Sequence, residues 1–209
     1  MQRALPRPLP LGDGHADPAV MQHFPGLLSR PESDAFAATI EAHFERHGFG
    51  LWALEVPGVV PFAGIVGLAV PSFEAAFTPC VEVGWRLARE HWGRGYATEA
   101  ARAAIAFGFA SLELEEIVAF TASGNDRSRR VMERLGMNRN PSDDFDHPRL
   151  PEGHSLRRHV LYRLDRSRQG NRARDGQASK RPKRPKRPCL RSAPLKQALR
   201  TWLPRLHAR

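Results

Sequence analysis

The segment Trp92-Gly93-Arg94-Gly95-Tyr96-Ala97-Thr98-Glu99 concentrates residue types that can hold an anion. Two glycines let a backbone turn tightly and come close to a ligand. A helix beginning behind them aims its free N–H groups and the positive end of its dipole at the same place. A diphosphate suits that place, with the Thr98 hydroxyl as a further donor in the first helical turn. A Walker-type loop would need Gly-Lys-Ser/Thr after the right gap, and this stretch has no lysine. A dinucleotide fingerprint would want glycine or alanine where Thr98 stands, followed by a second parallel unit. An ordinary strand-to-helix turn is the plain alternative.

The elements that must position this loop are legible in the hydrophobic pattern. Asp17-Pro18 opens a short helical stretch through Phe24. A longer helix begins at Ser33, after Pro31-Glu32, with Phe36, Ile40, His43, Phe44 and His47 at helical spacing, and Gly48 closes it. Strand-like runs follow at Gly50 to Val56 and Phe62 to Val70, with Pro57-Gly58 between them. In a third run, Pro79 to Leu87, residues Val81, Val83, Trp85 and Leu87 face one way and Glu82, Gly84 and Arg86 the other. Behind the glycine loop, Ala97, Ala100, Ala101, Ala104, Ile105 and Gly108 form a helix face of small side chains. Glu116 to Thr121 reads as a strand. Asp126 to Leu135 reads as a helix burying Val131, Met132 and Leu135, with Gly136 at its end. The acidic segment Ser142 to Glu152 reads as a loop and Arg158 to Leu164 as a last strand. Hairpin-like strands followed by strand–helix alternation indicate a mixed α/β sheet.

Charge divides the 209-residue chain in two. Of its 32 Lys+Arg, fourteen lie from Ser167 onward against the single acid Asp175, so the preceding part carries a net of −3 although the whole chain is +10. Lys180 to Pro188 is nearly a Lys-Arg-Pro repeat, which cannot bury enough apolar surface to fold alone. Residues 180–188 are a candidate for weak, salt-sensitive nucleic-acid contact. Cys80 and Cys189 form no disulfide framework, and no run approaches the length of a membrane span, so a reducing, cytoplasmic setting is expected. Met1 to Gly12 shows no apolar signal-peptide core. The expected organisation is an irregular stretch over 1–16, a domain over 17–166 and a basic, disordered tail over 167–209.

A second motif gives the loop its context. About thirty residues after it stand Asn125-Asp126-Arg127-Ser128, then a helix, then Gly136-Met137. Together with Glu82-Val83-Gly84-Trp85 and Trp92 to Ala100, this resembles the GNAT superfamily of N-acetyltransferases, and within it the RimJ/RimL-like branch. The resemblance extends more loosely from about Asp17 to Leu164. It implies a mixed central sheet, flanked by helices, whose middle strands splay apart around acetyl-CoA.

On that reading Trp85, Arg86 and Leu87 offer backbone groups to the pantetheine arm. Gly93, Arg94, Gly95, Tyr96, Ala97 and Thr98 hold the diphosphate. Asn125 and Ser128 touch the pantetheine and thiol region. Glu82 is the candidate base that takes the acceptor's proton, and a solvated strand glutamate paired with Arg86 is the alternative. Ser128 is the candidate acid, because the tyrosine that many such enzymes use is replaced by Met132; Tyr162 is a weaker option. The resemblance implies an amine acceptor, either a protein N-terminus or a small molecule, and leaves the oligomeric state open.

Pro6, Pro8 and Pro10 forbid the opening strand usual in this family, so either the first strand is missing or the chain begins abnormally. This motivates a rival reading, an impaired scaffold binding nucleic acid or ribosomes through the tail. No metal is expected. Asp143-Asp144-Phe145-Asp146-His147 reads as an acidic loop beside the acceptor groove, suited to a cationic acceptor, or as solvated surface. His43 and His47 lack the glutamate of a metalloprotease signature.

Overall fold

The computed structural model describes residues 15–167. Residues 1–14 and the basic run 180–188 lie outside these. Of the opening stretch expected to be irregular, His15 and Ala16 are described, and both are helical.

Helix α1 (Pro18–Met21) starts where Asp17 Oδ1 accepts from the Ala19 N–H at 2.7 Å. Helix α2 (Arg30–His47) begins three residues before the expected Ser33. Its Glu32 carboxylate accepts from both the backbone N–H (2.7 Å) and the hydroxyl (2.6 Å) of Ser29, fixing the start there. Pro31 sits in the first turn, where a missing N–H costs nothing.

Strands β1 (Leu51–Val56) and β2 (Val60–Ala69) form an antiparallel hairpin. β2 also pairs antiparallel with β3 (Glu82–Leu87). Helix α3 (Tyr96–Ser111) carries the chain across to β4 (Glu116–Ala122), which is parallel to β3. A parallel neighbour requires such a crossover. Helix α4 (Asp126–Leu135) follows, then the short strands β5 (Asn138–Arg139) and β6 (Phe145–Asp146) and the long β7 (Arg158–Asp165). The sheet order is β1-β2-β3-β4-β7-β5, with β6 also on β7. The segment expected to be a plain loop after Ser142 thus contributes a strand. Phe145 pairs with His159 and Asp146 with Arg158, because β7 is long enough to take two short partners.

Helices cover both faces. Ala37 and Ile40 of α2 pack on Ile65, with Leu51, Ala53 and Phe62 around them. On the other face, Ala100, Ala101, Ala104, Ile105 and Phe109 of α3 and Met132 and Leu135 of α4 enclose the main core with Val66, Leu68, Val83 and Ile117. The small face of α3 is a packing requirement. A Cβ on Gly108 would lie 2.8 Å from Ile117 Cδ1 and 3.0 Å from Leu68 Cδ1. Among the described residues the sheet begins at Leu51, and no helix is long and apolar enough to cross a membrane.

Candidate active site

The sheet is open at its centre. Glu82 and Val118 are the sole registered pair between β3 and β4, tied by a Val118 N–H to Val81 carbonyl bond of 3.0 Å. Beyond that point, the backbone from Val83 to Leu87 pairs with β2 alone. The edge it turns toward β4 is therefore free to bond something else.

The glycine loop lies just past the end of this edge. The Trp92 indole N–H donates to the Leu87 carbonyl at 2.9 Å, and the Arg127 guanidinium lies 4.5 Å over the Trp92 ring. Trp92 thus anchors the loop to both β3 and the start of α4. Gly93 and Gly95 adopt φ of 74° and 85°, a region that costs other residues about 1–2 kcal/mol. A Cβ at either would meet nothing within 4 Å, so conformation rather than crowding demands glycine here. Gly95 is also the N-cap of α3 and has no side chain to cap it. The first-turn N–H groups of a sixteen-residue helix consequently face the loop's exposed side, the arrangement that binds a phosphate anion. Thr98 is buried and Ala97 half-buried.

The start of α4 borders the same opening. Asn125 caps the helix, accepting from the Ser128 N–H at 3.2 Å. Its amide N–H groups donate to Thr121 Oγ1 (2.9 Å) and Ser128 Oγ (3.1 Å). The Ser128 oxygen is an acceptor in this arrangement, so its own proton is free to be donated elsewhere. Tyr162 is committed to packing: it is buried in the main core, and its hydroxyl donates to Glu133 at 3.2 Å.

Glu82 stands where the strands part, on the sheet face opposite the main core. It is half-buried, and its carboxylate makes no hydrogen bond or ion pair with any described residue. Burial pushes its carboxyl up to about 7. The neighbouring Cys80 thiol is pushed up to about 11 by burial and by the Glu82 and Glu116 carboxylates, so it stays protonated near neutral pH.

The pairing of Glu82 with Arg86, raised from the sequence, does not occur. Arg86 turns instead into a cluster that the sequence reading missed. Its guanidinium lies 3.9 Å over the Phe24 ring and 5.0 Å from Phe36, and NH1 donates to His15 Nε2 at 2.6 Å. The other nitrogen, His15 Nδ1, then donates to Ser33 Oγ at 2.8 Å. His15 is 1% exposed, and burial, with the Arg86 charge second, lowers it to about 4. A neutral imidazole and two aromatic faces receive this arginine in place of a carboxylate.

The acidic loop is occupied with its own salt bridges. Asp143 pairs with Arg163, Asp144 with Arg139, and Asp146 with Arg157 and Arg158. His43 bonds backbone at both ring nitrogens, to the Phe49 carbonyl (2.8 Å) and the Val70 N–H (2.9 Å), which explains it as a bracket between α2 and the sheet.

Residues 9–138 match the Acetyltransferase (GNAT) domain family, well over half of the chain. The chain belongs to the GNAT acetyltransferase family. It is 33% identical over 121 residues to the uncharacterized protein YkkB of Bacillus subtilis, a match covering 58% of this chain and 69% of that one. An Aspergillus fumigatus protein named FsC-acetyl coenzyme A-N(2)-transacetylase is 37% identical over 94 residues, with 43% of this chain and 39% of that protein covered. Among solved structures, a GNAT-family acetyltransferase from Bacillus anthracis superposes with a TM-score of 0.60 over 75% of this chain and 87% of its own, at 23% identity. The Vibrio cholerae spermidine N-acetyltransferase, solved with CoA and spermine, gives 0.58 over 75% and 88% at 16% identity, a likeness of fold. The seven-stranded mixed sheet with helices on both faces is the GNAT fold. The chain is an acetyltransferase of the acetyl-CoA-dependent kind.

Proposed function

We propose that this GNAT domain transfers the acetyl group of acetyl-CoA to a primary amine, with Glu82 as the base. The observation that carries the reading is a half-buried glutamate at the point where β3 and β4 diverge, its carboxylate without a partner among the described residues and held near 7. A general base is most effective when its pKa lies near the working pH.

Acetyl-CoA supplies an activated thioester; the protein's part is binding, orientation and proton handling. The residues present suit it. Gly93 to Thr98 and the uncapped start of α3 would receive the diphosphate, and the free β3 edge at Trp85, Arg86 and Leu87 would bond the pantetheine amides. The Arg86 side chain takes no part in this, because it points to the other face. Glu82 takes a proton from the acceptor ammonium, leaving a nitrogen lone pair to attack. The new N–C bond forms as the C–S bond breaks, and the nitrogen's second proton passes to the departing thiolate. A backbone N–H near Leu87 stabilises charge on the carbonyl oxygen, and the Ser128 hydroxyl hydrogen-bonds the departing sulfur. Asn125 positions Ser128 rather than touching the cofactor, since its amide is engaged in the cap.

Placement near the RimJ/RimL branch rests on Glu82 to Trp85 and Trp92 to Ala100, and supports a protein N-terminus or a small molecule as acceptor in a cytoplasmic setting. A polyamine acceptor gains little from the spermidine enzyme at 16% identity, and the acidic loop's carboxylates are already paired with arginines. Calorimetry with acetyl-CoA tests the cofactor site. Saturable micromolar binding that Gly95→Glu removes is the expected result; a folded protein that binds none would defeat the reading.

A further inference from the structure

The sheet face that carries Glu82 continues, toward β4 and β7, into a field of rings. Phe120 lies two residues beyond Val118, the residue in register with Glu82, and so on the same face. Phe73 and Phe77, from the loop leading into β3, gather around it with Phe145, His147 and His159, with neighbouring ring centroids 4.7–6.4 Å apart. His159 is buried, but the other five are only partly covered. Helix α2 packs over β1 and β2 and leaves this part of the face to the two loops. Arg149 ties those loops together, donating to both the carbonyl and the hydroxyl of Ser72 at 2.7 Å.

The charges around the rings are largely paired with one another. Asp143, Asp144 and Asp146 are each paired with arginine, as is Glu116 with Arg163. Arg139, Arg157 and Arg158 are partners in those pairs, and Arg149 is bonded to Ser72. His147 and His159 are held neutral by burial, which lowers both. Among the described residues Glu82 is thus a carboxylate with no ion-pair partner, on the sheet face that also carries Phe120. A linear polyamine would have to place its second cation among rings and carboxylates already paired with arginine. A ligand with one amine and a flat apolar body has no second charge to place.

We propose that the acceptor is a small arylalkylamine, its amine at Glu82 and its ring on the wall formed by Phe73, Phe77 and Phe120. This rests on the acetyl-transfer reading above and adds the substrate class. The test uses the full chain with saturating acetyl-CoA and three probes: phenylethylamine, spermidine and a short peptide with a free N-terminal serine. Phenylethylamine should exceed the other two in kcat/KM by about tenfold or more. Phe77→Ala should raise its KM by roughly tenfold while kcat and the KM for acetyl-CoA hold, and Phe77→Leu should recover part of the loss. A preference for spermidine or the peptide, or a Phe77→Ala variant with unchanged KM, would overturn the substrate class and leave acetyl transfer standing. Binding of acetyl-CoA with turnover of no amine would overturn both.

Discussion

On the α3 side of β3 the groups proposed to bind acetyl-CoA belong to the backbone: an unpaired strand edge, two left-handed glycines and the uncapped start of a helix. On the opposite side the groups proposed to receive the acceptor are side chains: Glu82 and the half-exposed phenylalanines. A backbone site depends on a few conformational requirements, which glycine meets at fixed spacing. A side-chain site depends on which residues several separate loops bring to one face. The first is therefore common to many sequences of a fold, and the second is where one member differs from another.

The sharpest way to break the backbone side is Gly95→Glu. The residue must hold φ of 85°, and its carboxylate would stand at the start of α3 where an anion is to bind. Strain and charge act together, and acetyl-CoA affinity measured by calorimetry should fall by about 100-fold or more. Gly95→Ala, with strain alone, should lose about tenfold.

Glu82→Gln breaks the side-chain side. Removing the base should lower kcat/KM by roughly 10²–10³ and abolish the rise in rate as pH passes about 7. Stability should move the other way. The folded carboxyl is raised above its ordinary 4.5, so between these values the native state holds the extra proton and stability falls as pH rises through the window. Glutamine removes that cost, and the variant should melt higher than the parent at pH 8. A lower melting temperature there would mark Glu82 as a structural residue.

Legibility in the sequence followed the same division. The glycine loop, the small face of α3 and the Asp126 to Leu135 helix with its closing Gly136 depend on short-range spacing, and each is readable in the sequence, whereas the Asn125 cap is seen only in the structure. The helix expected from Ser33, after Pro31-Glu32, starts three residues earlier at Arg30, because a proline in the first turn interrupts no hydrogen bond. The strand at Phe145–Asp146 was invisible because two residues have no periodicity; only their pairing with β7 defines them. Phe73, Phe77, Phe120, Phe145, His147 and His159 come from four separate elements, and no local pattern announces such a meeting. The same holds for His15, Phe24, Ser33 and Arg86. Glu82 was identified through alternation and resemblance, but its raised pKa needed the surroundings of the fold.

The core beneath the two sides predicts a smaller, purely structural effect. Gly108→Val would force its side chain against the Cδ1 ends of Ile117 and Leu68, which are fully buried and have little room to yield. Overpacking of this kind costs about 1–3 kcal/mol. A reduced denaturant midpoint with unchanged acetyl-CoA affinity at low denaturant would separate the core from the binding edge. Lost affinity in the folded variant would show that α3 shifts along its axis and carries the loop with it.

The smallest effect concerns the Arg86 cluster and acts through pH. His15 titrates at about 4 in the fold, against 6.5 when free. Between those values the unfolded state binds the extra proton, so stability is full above about 6.5 and declines as pH falls toward 4. His23, His147 and His159 are also lowered and add to the same slope, so the parent alone does not isolate His15. His15→Gln keeps an acceptor for Arg86 and removes the titration. Thermal melts of both proteins at pH 7 and pH 5 should show a smaller loss on acidification for the glutamine variant, by a degree or two on the scale of a modest change in stability. Equal losses would mean that the Arg86 side of the cluster opens to water on acidification, and that the N-terminal segment is held to the sheet by Phe24 and Phe36 alone.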